Sequence, residues 1–242
     1  MVPGLLIELR GMLFALIPYV IADAAPVRHL VYSFTYESKQ NGTVTNDPGT
    51  SGARSFTGSL SDHGTITVDV MKEAPDRGLV VIVSEQGSDT RSAAPVTCAV
   101  YGNTLVACDP SKPTNSEELT LLRFLGANFV DPAKVDANSH WAVSENSGSV
   151  SVKADYTITS NNDGVLTINE TRHVEGHAFG SDKTETQTKL VYDGRMQVPA
   201  SIDEYATERK NSGIQGISTT VLQTTLKLVT DSLAGKAGGT SP

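Results

Sequence analysis

In His173-Val174-Glu175-Gly176-His177 an extended backbone sends His173, Glu175 and His177 to one face at steps of about 6.6 Å, close enough for neighbouring side chains to share a metal ion. Imidazole and carboxylate suit zinc and similar divalent ions, but such a site needs a further donor from another strand. Only His29, His63 and His140 remain among the histidines. Gly176 marks a strand that is ending, so a solvent-facing polar strand end is the preferred reading of this cluster. No cofactor is expected.

Other chemistries have less behind them. Nucleophilic hydrolysis lacks a Gly-x-Ser-x-Gly elbow and a Ser-x-x-Lys ahead of a helix. Nothing selects one pair of acids for glycoside cleavage, and no glycine-rich loop enters a helix to cradle a phosphate. The expectation is a protein that is not an enzyme.

Cys98 and Cys108 flank Gly102-Asn103, a turn signal between two apolar runs. A three-residue loop over 102–104 pairs Tyr101 with Leu105 and brings Cys98 opposite Cys108, which predicts a structural disulfide in an exported chain. Binding chemistry, if present, falls to aromatics. Tyr32, Phe34 and Tyr36 share one strand face and, with Tyr156, Trp141 and the helical Leu122 and Leu125, form a candidate apolar ligand site. Ordinary core packing accounts for the same residues and is the favoured reading.

The elements that position these residues are mostly strands. Leu30 to Tyr36 alternates at period two, and Ser38 to Ser55 then loses periodicity and reads as a long loop. Ile66, Val68 and Val70 resume the alternation, and Leu79 to Val83 is apolar on both faces and must be covered on both. A helix starts near Thr114 to Ser116 with Glu117 and Glu118 in its first turn, runs through Leu125 and stops at Gly126. Leu121, Leu122, Leu125 and Phe129 fall in one sector, widened by Leu119 and Phe124, so this helix belongs across the sheet. From Trp141 onward Val150 to Ile158, Val165 to Val174, Lys183 to Tyr192, Ala200 to Glu208 and Ile214 to Val229 follow as strands joined by turns such as Asn161-Asn162-Asp163-Gly164.

Successive strands with short turns predict an all-β fold: an antiparallel up-and-down meander of about 10–12 strands curled into a barrel or half-barrel, with one helix packed on the sheet. A two-sheet β-sandwich is the alternative. The layout resembles that of bacterial periplasmic lipoprotein carriers, which are curved sheets with helices in the hollow, although the carriers open on a helix and this chain on a strand.

Arg10, an apolar run from Met12 to Ala22 and the small-residue pattern Ala22-Asp23-Ala24 are the layout of a signal peptide, giving residues 1–24 as signal, 25–233 as a single β-rich domain and 234–242 as a flexible tail. The run is too short to span a bilayer, so no transmembrane segment is expected in the mature chain. Without residues 1–24 the chain has 18 basic and 25 acidic residues, a net charge of −7, since Arg10, Glu8 and Asp23 leave the 19 and 27 of the whole. That balance, with no basic cluster, argues against nucleic acid and anionic membranes as partners. The expected setting is a bacterial periplasm or the extracellular space. The partner is either an apolar small molecule or lipid held between sheet and helix, or an envelope protein met by a module with a filled core.

Overall fold

The computed structural model describes residues 25–44, 54–73, 78–88, 93–101, 106–125, 129–130, 135–136, 138–147, 150–176, 182–211 and 216–233. The expected signal segment, the His177 end of the histidine cluster, the turn at Gly102 and the tail lie outside them.

Eleven strands form one antiparallel sheet: β1 (Arg28–Val44), β2 (Arg54–Glu73), β3 (Leu79–Gly87), β4 (Ala93–Val100), β5 (Val106–Cys108), β6 (His140–Ser147), β7 (Val150–Asn162), β8 (Val165–Gly176), β9 (Asp182–Asp193), β10 (Val198–Asn211) and β11 (Ile217–Asp231). The order across the sheet is β5-β4-β3-β2-β1-β11-β10-β9-β8-β7-β6. Each neighbour is also the neighbour in sequence, apart from β1 and β11, whose pairing joins the two halves of the meander at its middle. The ends of the sheet are therefore β5 and β6, the two strands separated by the helix α1 (Ser116–Leu122). The sheet curls without closing, a half-barrel rather than a sandwich. The chain leaves β5, passes through the hollow as α1 and re-enters the sheet at the far edge.

Strand parity sets the core. Leu30, Tyr32, Phe34 and Tyr36 of β1, Ile66, Val68 and Val70 of β2, and Val81 and Val83 of β3 point into the hollow, joined from the other half by Tyr156, Ile168, Leu190, Ile202 and Leu226. Each fully buried side chain of this size contributes about 1.5 to 3 kcal/mol relative to exposure. The second face of β3 is partly covered too: Val80 is buried opposite Ala99, and Met71 is buried on β2.

Two expectations need correction. Ser38 to Val44 and Arg54 to Ser55 are strand, not loop: β1 pairs β2 from Ser38 opposite Leu60 to Val44 opposite Arg54, and β11 from Ser38 opposite Leu222 to Thr43 opposite Ile217. A strand hydrogen-bonded on both sides satisfies its backbone whatever its side chains, so Gly, Asn and Thr are tolerated where neither face is buried. The helix is also shorter than expected. It ends at Leu122, and the amides of Phe124 and Leu125 bond to the carbonyls of Leu121 and Leu122 in tighter turns.

Cys98 and Cys108 are directly opposite in the β4–β5 pair and form a disulfide, as their spacing predicts. Closing so short a loop contributes about 2 to 3 kcal/mol through the entropy of the unfolded chain. Asp163 and Gly164 both have positive φ, 52° and 84°, the conformation of the two-residue turn that matches strand twist between β7 and β8.

Candidate functional site

Among the described residues, the hollow is where the sheet, the helix and buried charge meet. Asn115 caps α1: its backbone amide donates to Glu118 Oε2 at 2.9 Å, and its side-chain Nδ2 donates to Glu85 Oε1 at 2.7 Å, tying the start of the helix to β3. Leu121 and Leu122 are fully buried against the sheet, whereas Leu119, which the sequence placed on the apolar sector, is 38% exposed. Past the helix, Phe129 is the hub of the inner packing. Its ring lies edge-on to Phe124, Trp141, Tyr156 and Tyr192 at centroid distances of 5.1, 6.0, 5.6 and 5.3 Å, and Trp141 stacks on Tyr156 at 5.0 Å. The residues from Ser116 to Leu125, with Phe129 and Val130, thus form a plug over the apolar floor.

One charged cluster pins this plug. Arg123, just past the helix, forms an ion pair with Glu204 of β10 and lies 3.6 Å from Glu170 Oε2 of β8. Thr120 Oγ1 donates to Glu204 Oε1 at 2.8 Å, Thr188 Oγ1 to Glu170 Oε2 at 2.6 Å, and the Tyr156 hydroxyl to Glu170 Oε1 at 2.9 Å. Burial works against the Arg123 charge, but the two carboxylates outweigh it and raise its pKa above the ordinary value. Nearby Arg172 is shifted the other way, by burial first and then by the like charge of Arg123. Among the described residues both arginines carry a buried N–H without a hydrogen-bond acceptor, Arg123 at Nε and Arg172 at Nη1. Apart from Tyr156, these residues escaped the sequence reading. The signal was there in parity: Glu170 continues the inward series of Leu166 and Ile168, and Glu204 lies between Ile202 and Ala206.

The candidate apolar residues all fall in this region. Tyr32, Phe34, Tyr36, Leu122, Leu125 and Tyr156 are buried, with Trp141 packed against them. The Tyr32 hydroxyl donates to the Pro199 carbonyl at 2.9 Å, and burial pushes its pKa well up. Beside the plug a cleft of about 210 Å³ opens between Val130, Val135, Leu166 and Tyr192. The histidine cluster lies elsewhere. His173 and Glu175 are exposed on β8, and Glu175 pairs with Lys183 at 2.9 Å. His29 is held by Asp69 at 2.6 Å. Among the described residues no group of three His, Cys, Asp or Glu could hold a metal ion.

Glu118 gives a test of how dry the plug is. Burial, with the charge of Glu117 adding to it, raises its pKa despite the amide bond from Asn115. A carboxyl with a folded pKa above its unfolded one favours folding in its neutral form. Its stabilisation is full below the unfolded pKa and declines as pH rises through the folded one. Glu118→Gln keeps the acceptor for the Asn115 amide, so the variant is expected to melt above the parent at pH 7 and to match it near pH ~3. Thermal melts across that range check it; a variant less stable at pH 7 means that Glu118 is well solvated.

Among the described residues no helix is long and apolar enough to cross a membrane. No protein-family model matches the chain, and no curated protein is similar to it. Among solved structures it is similar to lipovitellin, in a structure titled for its lipid-protein interactions, at 9% identity and a TM-score of 0.47 over 86% of this chain and 25% of that one. The chain thus spans about a quarter of the length of lipovitellin. It is also similar to an outer membrane channel from Pseudomonas putida F1, at 10% identity and a TM-score of 0.29 over 85% of this chain and 97% of the channel. At these scores neither likeness carries an argument about what this chain binds.

Proposed function

We propose that the chain is an exported, non-enzymatic binding protein that takes a lipid-like or other apolar ligand into the hollow of its half-barrel, with the plug yielding to make room. One observation carries this reading: strands from both halves of an unclosed sheet contribute a continuous apolar floor, and a short helix with the few residues after it is what covers it. The cleft of about 210 Å³ is smaller than the roughly 300 Å³ at which small-molecule sites begin, so an occupant has to displace part of the plug. Tyr32, Phe34, Tyr36, Leu122, Leu125, Trp141 and Tyr156 are then the ligand contacts, exchanging plug for ligand.

The complete burial of Tyr32, Leu122 and Tyr156 favours a second reading, an envelope module with a filled core that meets a protein partner. Native mass spectrometry of the protein purified from its own envelope fraction, then incubated with phospholipid vesicles and fatty acids, separates the two. A stoichiometric apolar adduct supports the binding protein. Because Phe129 holds the plug together, Phe129→Ala is expected to raise the adduct fraction if plug and ligand compete. A bare mass under every condition, in the parent and in Phe129→Ala, removes the ligand reading and leaves the filled module.

A further inference from the structure

We infer that the outer face of the sheet carries a second site, a groove across β8, β9, β10 and β11 that binds a neutral oligosaccharide. The groove measures about 420 Å³, within the range of small-molecule sites. Strand twist makes a coiled sheet saddle-shaped, so an outer face can be hollow along one diagonal. Glu170, Thr188, Glu204 and Thr224 also border the groove, between the outward rows, but by strand parity their side chains face the hollow, so the two sites share these strands and use opposite faces of them.

Register builds the groove. Tyr205 sits directly between Gln187 and Gln223, and Thr171 lies opposite Gln187, so one row across four strands reads Thr, Gln, Tyr, Gln. Tyr205 is 49% exposed. An aromatic ring half in water, with a primary amide on either side, offers a flat apolar surface beside paired donors and acceptors. In the adjoining row Lys189 and Asp203 are cross-strand neighbours, and the Thr225 hydroxyl donates to Asp203 Oδ1 at 3.1 Å.

The composition of the groove selects the ligand class. Its exposed Lys189 and Asp203 offset each other, and the two glutamates that also border it, Glu170 and Glu204, meet Arg123 on the inner side, which leaves little field to draw a phosphate or a polycation. No aliphatic side chain lines it, which disfavours acyl chains and apolar peptides. What remains is a molecule that both donates and accepts through many hydroxyls and has C–H faces to lay on a ring. A sugar chain meets both requirements.

The test is saturation-transfer NMR with cello-, malto-, manno- and chito-oligosaccharides at about 1 mM, where a weak site is still occupied. At least one is expected to bind. Tyr205→Ala is expected to weaken it about tenfold, the size of a lost aromatic contact, while Tyr205→Phe keeps the ring and most of the affinity. Phe56→Ala, at the exposed aromatic on β2 away from the groove, is expected to change nothing, and melting temperatures confirm that each variant folds. No binding by the folded parent overturns the proposal. So does binding that survives both Tyr205→Ala and Gln223→Ala.

Discussion

Arg123→Met is expected to lower the unfolding free energy by about 3 to 5 kcal/mol, the cost of leaving buried charge without its partner. Methionine retains much of the side-chain length, so the loss is one of charge and hydrogen bonds rather than of volume. Glu204 and Glu170 then face each other across Thr188, whose hydroxyl lies within 3.3 Å of Glu204 and 2.6 Å of Glu170, with no cation from the plug between them. The triple variant Arg123→Met, Glu170→Gln, Glu204→Gln is expected to recover part of the loss, because neutral amides leave no unpaired carboxylate in the hollow, while Arg172 loses the two acids beside it. Urea unfolding at pH 7 measures both. Equal instability of single and triple variants would mean that the shape of the arginine matters and its charge does not. In the proposed binding cycle this pair is the tether that must loosen when the plug yields.

The second large effect is expected at the opposite end of the hollow. Arg28, where β1 begins, donates through Nε and Nη2 to the two carboxylate oxygens of Asp231, where β11 ends, at 3.0 and 2.5 Å. Its Nη1 reaches the Met196 carbonyl at 2.8 Å, fastening the turn before β10 as well. Both side chains are largely buried. Asp231→Asn breaks the forked pair and is expected to cost about 3 kcal/mol or more at pH 7. Burial alone would raise the Asp231 pKa, but the Arg28 hydrogen bonds, the Leu233 amide and the Arg28 charge together hold it below the usual range. Such a carboxylate stabilises the fold above its unfolded pKa and loses that contribution as pH falls through the folded one. The gap between parent and variant is therefore expected to be full at neutral pH and to narrow below pH ~4. A gap that is flat with pH would mean that the carboxylate charge contributes nothing.

Legibility in the sequence followed burial. Where one face of a strand is dry, period-two alternation names the strand and its inward side, as in Leu30 to Tyr36 and Val150 to Ile158. The spacing of Cys98 and Cys108 agreed with the register that joins them. Where both faces are wet the pattern vanishes although the strand persists, and Ser38 to Val44 read as loop for that reason. The pairing of β1 with β11 leaves no local trace, since either strand alone only requires some neighbour. The charged cluster was hidden differently: a lone Arg123 inside an apolar run reads as the wet side of a helix until the fold shows that Glu170 and Glu204 point inward to meet it. The aromatic candidates lie together in the core, and sequence has no means of telling a wall that faces a ligand from one that faces a plug.

The join at the middle of the sheet also bears on how the chain reaches this state. Arg28 and Asp231 are 203 residues apart, and every rung of the β1–β11 ladder closes a comparably long loop. Contacts so distant in sequence place folding toward the slow, millisecond-to-second end of the range, since the entropy of loop closure is lost before the contacts form. Until β11 is available, β1 presents a long unpaired edge and the hollow lacks its central wall. Although β1 to β5 pair in sequence order, the edge of β1 that receives β11 stays open to pairing with another chain until the last strand is made.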